Sequence, residues 1–276
     1  IKAARDYWSP MANEAQEIQQ SWVSLPMSNL DNVQTIENHI RDVDVIEVKL
    51  PAYLTEKLIS QSLSAYQLKI DELMLAAVTF AMSQWRGSNT MLIELESHGR
   101  HHDDLDLSQT IGWFTSRYPM LLASVDNCSS DLLMRQHILS IKDQLRAVPD
   151  YGQGFGVLKY LHNEVTKLVT PALVFNYLGQ IDKGMMSQGV GLAPEPIPNQ
   201  RHGDNTRPQW LDLNVMITGG ELSMRWNYNT LVNTKDEIEL LALTVIEYLS
   251  KMIEHCEHTD NAISKSEVPL LTLTQP

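Results

Sequence analysis

Two acidic residues, Glu94 and Glu96, end an apolar stretch at residues 90–96 that has the length of a buried strand. Side chains alternate between the two faces of a strand, so the two carboxylates are predicted to share one face. A carboxylate at the end of a buried strand is either solvated at the sheet edge or held in a cleft. In a cleft it could accept or donate a proton. The residues alone leave both interpretations open.

A second polar strand end follows at Asn176 and Tyr177, after the apolar residues 172–175. An amide and a phenol beside a buried strand need hydrogen-bond partners, which belong either to a structural network or to a functional site. If the two polar strand ends face one cleft, a carboxylate, an amide and a phenol meet there.

Histidines and aspartates are concentrated in residues 98–106 and could suggest a metal site. The run comprises His98, His101, His102, Asp103, Asp104 and Asp106. Zinc ligands on a helix are spaced three or four residues apart and are joined by a distant third ligand, whereas these residues are mostly adjacent. We predict a solvated polar loop between two strands and no metal site.

Glycines at positions 152, 154 and 156 could suggest a nucleotide-binding loop. They follow a helix and a proline instead of a strand, and their spacing is not Gly-x-Gly-x-x-Gly. We predict a flexible, closely packed loop. The sequence contains no Walker loop, serine elbow or paired catalytic cysteines.

The composition is that of a globular protein, with 276 residues, 43% of them apolar and 20% charged. Lys and Arg number 21 against 34 Asp and Glu, which gives a formal charge of −13. Such a surface repels a phosphate backbone, so we expect no nucleic-acid partner. No apolar stretch approaches the roughly 20 residues that cross a bilayer, so we expect no membrane span. The distant Cys128 and Cys256 favour a reduced, cytoplasmic compartment.

The elements that position these residues alternate between strand and helix. Strands are predicted at residues 43–50, 90–96, 117–124, 172–178, 210–217 and 221–228. Helices are predicted at residues 55–64, with Thr55 as N-cap, and at 70–85, 130–147 and 235–255. The glycine pair 219–220 between the last two strands predicts a hairpin. The order indicates an α/β sandwich without an internal boundary.

Five motifs occur in a fixed order. Residues 71–77 are similar to the helix motif Asp-x-Leu-Leu-x-Ala, residues 96–100 to Glu-Gly-His-Gly-Arg, residues 109–119 to Arg-Thr-Val-Gly-Trp-Phe-Thr-x-x-Tyr-Pro, residues 149–156 to Pro-x-x-Gly-x-Gly-Tyr-Gly, and residues 175–179 to Phe-Asn-Tyr-Leu-Gly. Residues 268–274 also resemble the end of such domains. Together the motifs resemble the epimerization domain of nonribosomal peptide synthetases, a member of the condensation-domain superfamily.

The resemblance implies a chloramphenicol-acetyltransferase-like α/β sandwich that forms one lobe of a two-lobed fold. Residues 1–276 would be the C-terminal lobe, and the N-terminal lobe with its His-His-x-x-x-Asp-Gly signature is absent. Residues 101–106 imitate that signature, but they follow the Glu96 motif and Leu107 replaces the glycine. Ser97 replaces a family glycine and His101 the usual Glu. Because the chain begins with Ile1, we expect it to be part of a longer polypeptide.

The implied activity is inversion of the Cα of an L-aminoacyl or peptidyl thioester held on the phosphopantetheine arm of a carrier protein. Glu96 would exchange the α proton together with the second histidine of the missing signature, and Tyr177 and Asn176 would bind the developing enolate. The motif residues that would line the substrate channel are His98, Arg100, Trp113, Tyr151 and Gly154. No cofactor would be bound directly. The implied partners are a peptidyl carrier protein and the N-terminal lobe, with Arg135, Lys142 and Arg146 as a candidate docking area.

Three alternatives remain open. A non-catalytic condensation-like module would bind a carrier protein or recruit another enzyme, and the departures at Ser97 and His101 are compatible with it. A condensation domain would form peptide bonds. A metal hydrolase at the histidine run is the third.

Overall fold

The computed structural model describes residues 1–11, 36–101, 105–165, 170–181 and 201–259. Within these residues six strands form one mixed sheet in the order β1-β6-β5-β4-β2-β3. The strands are β1 (Val43–Leu50), β2 (Thr90–Ser97), β3 (Ser116–Ala123), β4 (Leu173–Gln180), β5 (Leu211–Thr218) and β6 (Glu221–Asn229). Each strand overlaps the range predicted for it, and β5 and β6 pair as the predicted hairpin. The mixed α/β class is confirmed.

Helices cover one face of the sheet. They are α1 (residues 2–11), α2 (Ala52–Lys57), α3 (Ile70–Arg86), α4 (Asp131–Arg146), α5 (Gln153–Gly156) and α6 (Lys235–Glu257). Helices α2 and α5 each continue into a π-helical turn, at Leu58–Ser62 and Val157–Leu161. Helix α3 is buried along most of its length between α4, α6 and the sheet, so it forms the centre of the core.

The two faces of the sheet differ in polarity. In β5 the alternate residues Leu211, Leu213, Val215 and Ile217 are buried in the core that the helices form. Asp212, which lies between them, points to the opposite face and is less buried. Because paired residues of neighbouring strands share a face, Glu94, Glu96 and Asn176 belong to this second, polar face.

Two local predictions are wrong. Helix α2 begins at Ala52, and Thr55 is an internal residue whose hydroxyl donates to the Leu50 carbonyl and accepts the Leu222 N–H. The glycine-rich segment forms helix α5 instead of a loop. Its Phe155 is buried against the Trp8 ring, with 5.5 Å between centroids, so tertiary packing outweighs the low helix propensity of glycine.

Both cysteines are buried and free. Burial raises the pKa of each thiol to about 12, so neither forms a thiolate nucleophile at neutral pH. Among the described helices, none has the length and apolarity needed to cross a bilayer.

A buried histidine in α4 makes stability depend on pH. His137 is fully buried, its Nε2 lies 2.8 Å from the Ala76 carbonyl oxygen, and no described group bonds its Nδ1. Burial lowers its pKa to about 4, whereas an unfolded histidine has a pKa of about 6.5. The stabilising contribution is therefore complete above pH 6.5 and decreases as the pH falls. We expect about 2 kcal/mol less unfolding free energy at pH 5.0 than at pH 7.5 from this group.

Urea unfolding of the wild type and of His137→Gln at both pH values measures this contribution. Glutamine keeps a donor for the Ala76 carbonyl but does not titrate, so the variant should lose most of the pH dependence that His137 causes. Equal pH dependence in both proteins would contradict the prediction.

Candidate active-site cavity

A cavity of about 1020 Å³ lies at the carboxyl ends of the neighbouring parallel strands β2 and β4. Leu95 pairs with Phe175, so the polar residues that follow in each strand reach the same edge of the sheet. The start of α3, the end of α4 and residues 148–151 complete the lining. Ligands of open α/β sheets commonly bind beyond the carboxyl ends of parallel strands. The two polar strand ends thus meet at one cavity, as the sequence predicted.

Glu96 lines the cavity with 23% of its side chain exposed, and its Oε1 lies 3.2 Å from Nε of Arg117 on β3. Glu94 binds a second nitrogen of the same guanidinium, so the two carboxylates share one face as alternation predicts. Glu94 also accepts a hydrogen bond of 3.0 Å from Nε2 of Gln209. Burial raises the pKa of Glu94 against the opposing charge of Arg117, and the Glu96 charge raises it further.

Asn176 and Tyr177 both line the cavity, but from opposite faces of β4. Asn176 belongs to the polar face of Glu96, whereas Tyr177 belongs to the face that the helices cover. Burial, followed by the nearby Asp71 charge, raises the pKa of Tyr177. The phenol therefore keeps its proton at neutral pH and can donate a hydrogen bond into the cavity.

Three stacked rings form one wall. The centroids of His98 and His101 are 4.1 Å apart, and Tyr151 stacks on His101 at 3.6 Å with an interplanar angle of 16°. The Lys69 ammonium lies 5.3 Å from the Tyr151 centroid. Burial, followed by the charges of His98 and Lys69, lowers the pKa of His101, so this ring is neutral at pH 7. The wall offers flat surfaces and imidazole nitrogens to a ligand.

Backbone strain holds Tyr151 in this stack. Asp150 and Tyr151 have φ values of 49° and 51°, and Gly152 has 83°. Left-handed conformations of this kind cost about 1–2 kcal/mol per non-glycine residue. A Cβ at Gly152 would lie 1.9 Å from the Tyr118 ring, so only glycine fits there.

The other motif residues lie outside the cavity lining. The Arg100 guanidinium binds the carbonyls of Leu107 and Thr110 and lies 4.3 Å from the Phe114 ring centroid, so it braces the loop that follows. Trp113 is 91% exposed on that loop. Gly154 packs against α1, where a Cβ would lie 2.6 Å from that of Ala4.

Sequence reasoning missed three polar residues of the cavity, namely Lys69, Asp71 and Tyr118. Burial, followed by the Glu72 charge, raises the pKa of Asp71. Acidic residues are common in the first turn of a helix, so the start of α3 carried no signal of a cavity. Only the packing of α3 beside β2 places these groups at the strand ends.

The predicted basic docking area on α4 is wrong at two positions. Lys142 is fully buried, and its Nζ donates a 2.6 Å hydrogen bond to the Tyr66 carbonyl. Arg146 forms two hydrogen bonds with Glu72, at 2.7 and 3.0 Å. Both side chains hold α4 in place and present little charge to a partner.

The described residues contain no group of three or more His, Cys, Asp or Glu side chains that could hold a metal ion. Residues 102–104 of the histidine run lie outside the described part of the chain. In the part that is described, His101 takes part in ring stacking.

A protein-family model described as "Condensation domain" matches residues 1–267. The chain belongs to the condensation-domain family. A linear gramicidin synthase of Brevibacillus parabrevis is 34% identical to it over 270 residues, which are 94% of this condensation-domain chain and 3% of the relative. Bacitracin synthase 3 of Bacillus licheniformis is 30% identical over 246 residues, or 86% of the chain and 4% of the relative. The chain thus spans a small fraction of these synthases.

Solved structures agree with this family. The epimerization domain from the third module of tyrocidine synthetase B is 29% identical, with a TM-score of 0.74 over 81% of the chain and 50% of that structure. A nonribosomal cyclization-docking bidomain from Sorangium cellulosum, 16% identical, has a TM-score of 0.62 over 92% of the chain and 48% of that structure. These similarities confirm the predicted condensation and epimerization type of fold.

Proposed function

We propose that this chain is the C-terminal lobe of a nonribosomal peptide synthetase epimerization domain. The cavity carries the proposal, because Glu96, Asn176 and Tyr177, from the motifs that resemble epimerization domains, all line it. The similarity to half of a solved epimerization domain supports it. The N-terminal lobe with the His-His-x-x-x-Asp-Gly signature would be supplied by the rest of the synthetase.

The proposed reaction inverts the Cα of an L-aminoacyl or peptidyl thioester. A base removes the α proton, and the electron pair of the broken C–H bond moves to the thioester oxygen as an enolate. A proton delivered to the opposite face then re-forms the C–H bond with inverted configuration. Inversion thus needs acid–base groups on two sides of the substrate.

Glu96 is the acid–base group that this lobe contributes. Arg117 occupies its Oε1, and no described residue donates a hydrogen bond to its Oε2. One oxygen is thus fixed while the other can take up a proton. Tyr177 and Asn176 lie beside it as donors to the enolate oxygen, and such donors typically contribute about 3–4 kcal/mol to transition-state stabilisation.

The substrate would arrive on the phosphopantetheine arm of a peptidyl carrier protein, and the chain itself would bind no cofactor. A cavity of about 1020 Å³ has room for an arm of this kind. The proposed site acts in solution in the cytoplasm, where the synthetase would assemble its peptide.

Exchange of the α proton tests the function. An L-aminoacyl or peptidyl thioester on a cognate carrier protein is incubated in deuterated water with this chain, with and without an added N-terminal lobe. We expect deuterium uptake and inversion when both lobes are present, and little or none with this chain alone. Mass spectrometry and chiral chromatography measure the two quantities.

Two other outcomes would identify a different function. Peptide-bond formation with an added acceptor aminoacyl carrier, without deuterium uptake, would assign the chain to a condensation domain, which the family model and the synthase relatives favour. Carrier binding without either reaction would indicate a non-catalytic module that binds a carrier or recruits another enzyme.

A further inference from the structure

Arg117 lies between two carboxylates on the polar face of the sheet. It pairs directly with Glu96 across the antiparallel strands β2 and β3. Its Nε lies 3.2 Å from Glu96 Oε1, and its Nη2 binds Glu94 Oε1. Gln209 donates to the other oxygen of Glu94 at 3.0 Å. The four side chains thus form a continuous chain of contacts from Gln209 to Glu96, which we call the Arg117 relay.

The relay is more enclosed at Glu94 than at Glu96. The side chain of Glu94 is 14% exposed, against 23% for Glu96 and 43% for Arg117. Two partners hold Glu94, so it anchors the guanidinium from one side. Glu96 has one partner, and its second oxygen accepts no hydrogen bond from the described residues.

We propose that Arg117 is a positioning residue for Glu96, held in register by Glu94 and Gln209. This inference rests on the proposed role of Glu96 as an acid–base group. The guanidinium fixes the carboxylate plane through Oε1 and leaves Oε2 directed to the substrate. It also favours the ionised form of Glu96, which is the form that accepts the α proton.

Sharing of one guanidinium makes the two carboxylates compete. Loss of Arg117 leaves Glu96 beside a second carboxylate, and both effects disfavour its ionised form. Loss of the Glu94 charge has the opposite effect, because Arg117 then has a single anionic partner. A cross-strand ion pair that only stabilised the sheet edge would not move the pH profile in opposite directions.

Three variants in the complete two-lobed domain test the relay through the pH dependence of α-proton exchange. We expect Arg117→Met to lower the rate at neutral pH about tenfold to a hundredfold and to move the acid limb up by about one pH unit. Arg117→Lys should recover part of both effects, because it restores the charge but not the two-nitrogen geometry. Glu94→Gln should move the acid limb to lower pH.

Lys49→Met is a matched control. Lys49 forms a cross-strand ion pair with Glu221, 3.3 Å long, on the opposite edge of the same sheet. Its loss removes an exposed cross-strand pair without touching the cavity, so the profile should stay that of the wild type. A wild-type profile in Arg117→Met, or acid limbs that move in the same direction in Arg117→Met and Glu94→Gln, would overturn the proposal.

A measurement without catalysis separates this inference from the proposed function. The carboxyl carbons of glutamate in this chain are labelled with ¹³C, and the Glu96 signal is assigned by its loss in Glu96→Gln. We expect its titration midpoint to rise in Arg117→Met and to fall in Glu94→Gln. If these shifts occur in a domain that exchanges no proton, the relay stands and the epimerase function fails. Unmoved midpoints would overturn the relay whatever the activity.

Discussion

Replacement of Glu96 by glutamine should lower α-proton exchange in the complete domain by about two to four orders of magnitude, the usual contribution of a general acid–base group. Glutamine has nearly the same shape, but its amide cannot take up a proton at neutral pH. Arg117 keeps Glu94 as a partner, so the sheet edge should remain intact. Deuterium uptake under single-turnover conditions measures the loss.

Glu47→Gln is the control for this substitution. Glu47 lies on the edge strand β1 and accepts a 2.9 Å hydrogen bond from Ser223, far along the sheet from the cavity. Glutamine can keep that contact, so exchange should match the wild type. If Glu96→Gln also exchanges at nearly the wild-type rate with unchanged unfolding midpoint, Glu96 is not the acid–base group.

The second large effect is expected at Gly99, where alanine should destabilise the fold by about 3 kcal/mol or more. Its φ of +66° is left-handed, and an ideal Cβ would lie 1.6 Å from the backbone oxygen of Phe114. A backbone atom cannot swing aside as a long side chain can. The loop that Arg100 braces must therefore move, and the ring wall beside it should be disturbed.

Gly87→Ala is a matched control with almost the same backbone strain. Gly87 has a φ of +67° at the end of α3, and a Cβ there would meet no atom within 4 Å. It should cost about 1–2 kcal/mol from strain alone. Urea unfolding of both variants measures the difference, which reports the contact with Phe114. Equal losses of unfolding free energy would contradict the close approach seen at Gly99.

Local patterns were sufficient to predict the strands and most helices. Alternation in β5 and the apolar run of β2 reflect burial on one or both faces, which depends on residues a few positions apart. The start of α2 and the helical state of α5 could not be predicted in this way. Both depend on distant partners, namely the contact of Thr55 with β6 and that of Phe155 with Trp8.

The candidate site shows the same division. The residue types at Glu96, Asn176 and Tyr177 indicated proton transfer and hydrogen bonding, and the parallel pairing of β2 and β4 brings them to one cavity. Sequence alone did not separate Arg100, which braces a loop, from Tyr151, which lines the cavity. Both occur in motifs, and a motif does not state which way a side chain points.

The amino-acid sequence by itself determined the α/β class, the strand ends that carry polar groups and the resemblance to epimerization domains, because these follow from residue type and short spacing. The tertiary structure decided which charges meet. Arg117 reaches Glu94 and Glu96 only through the register of β2 and β3, and Asp71 reaches the cavity only through the packing of α3. Contacts between residues distant in sequence depend on how whole elements pair and pack, which no local pattern specifies.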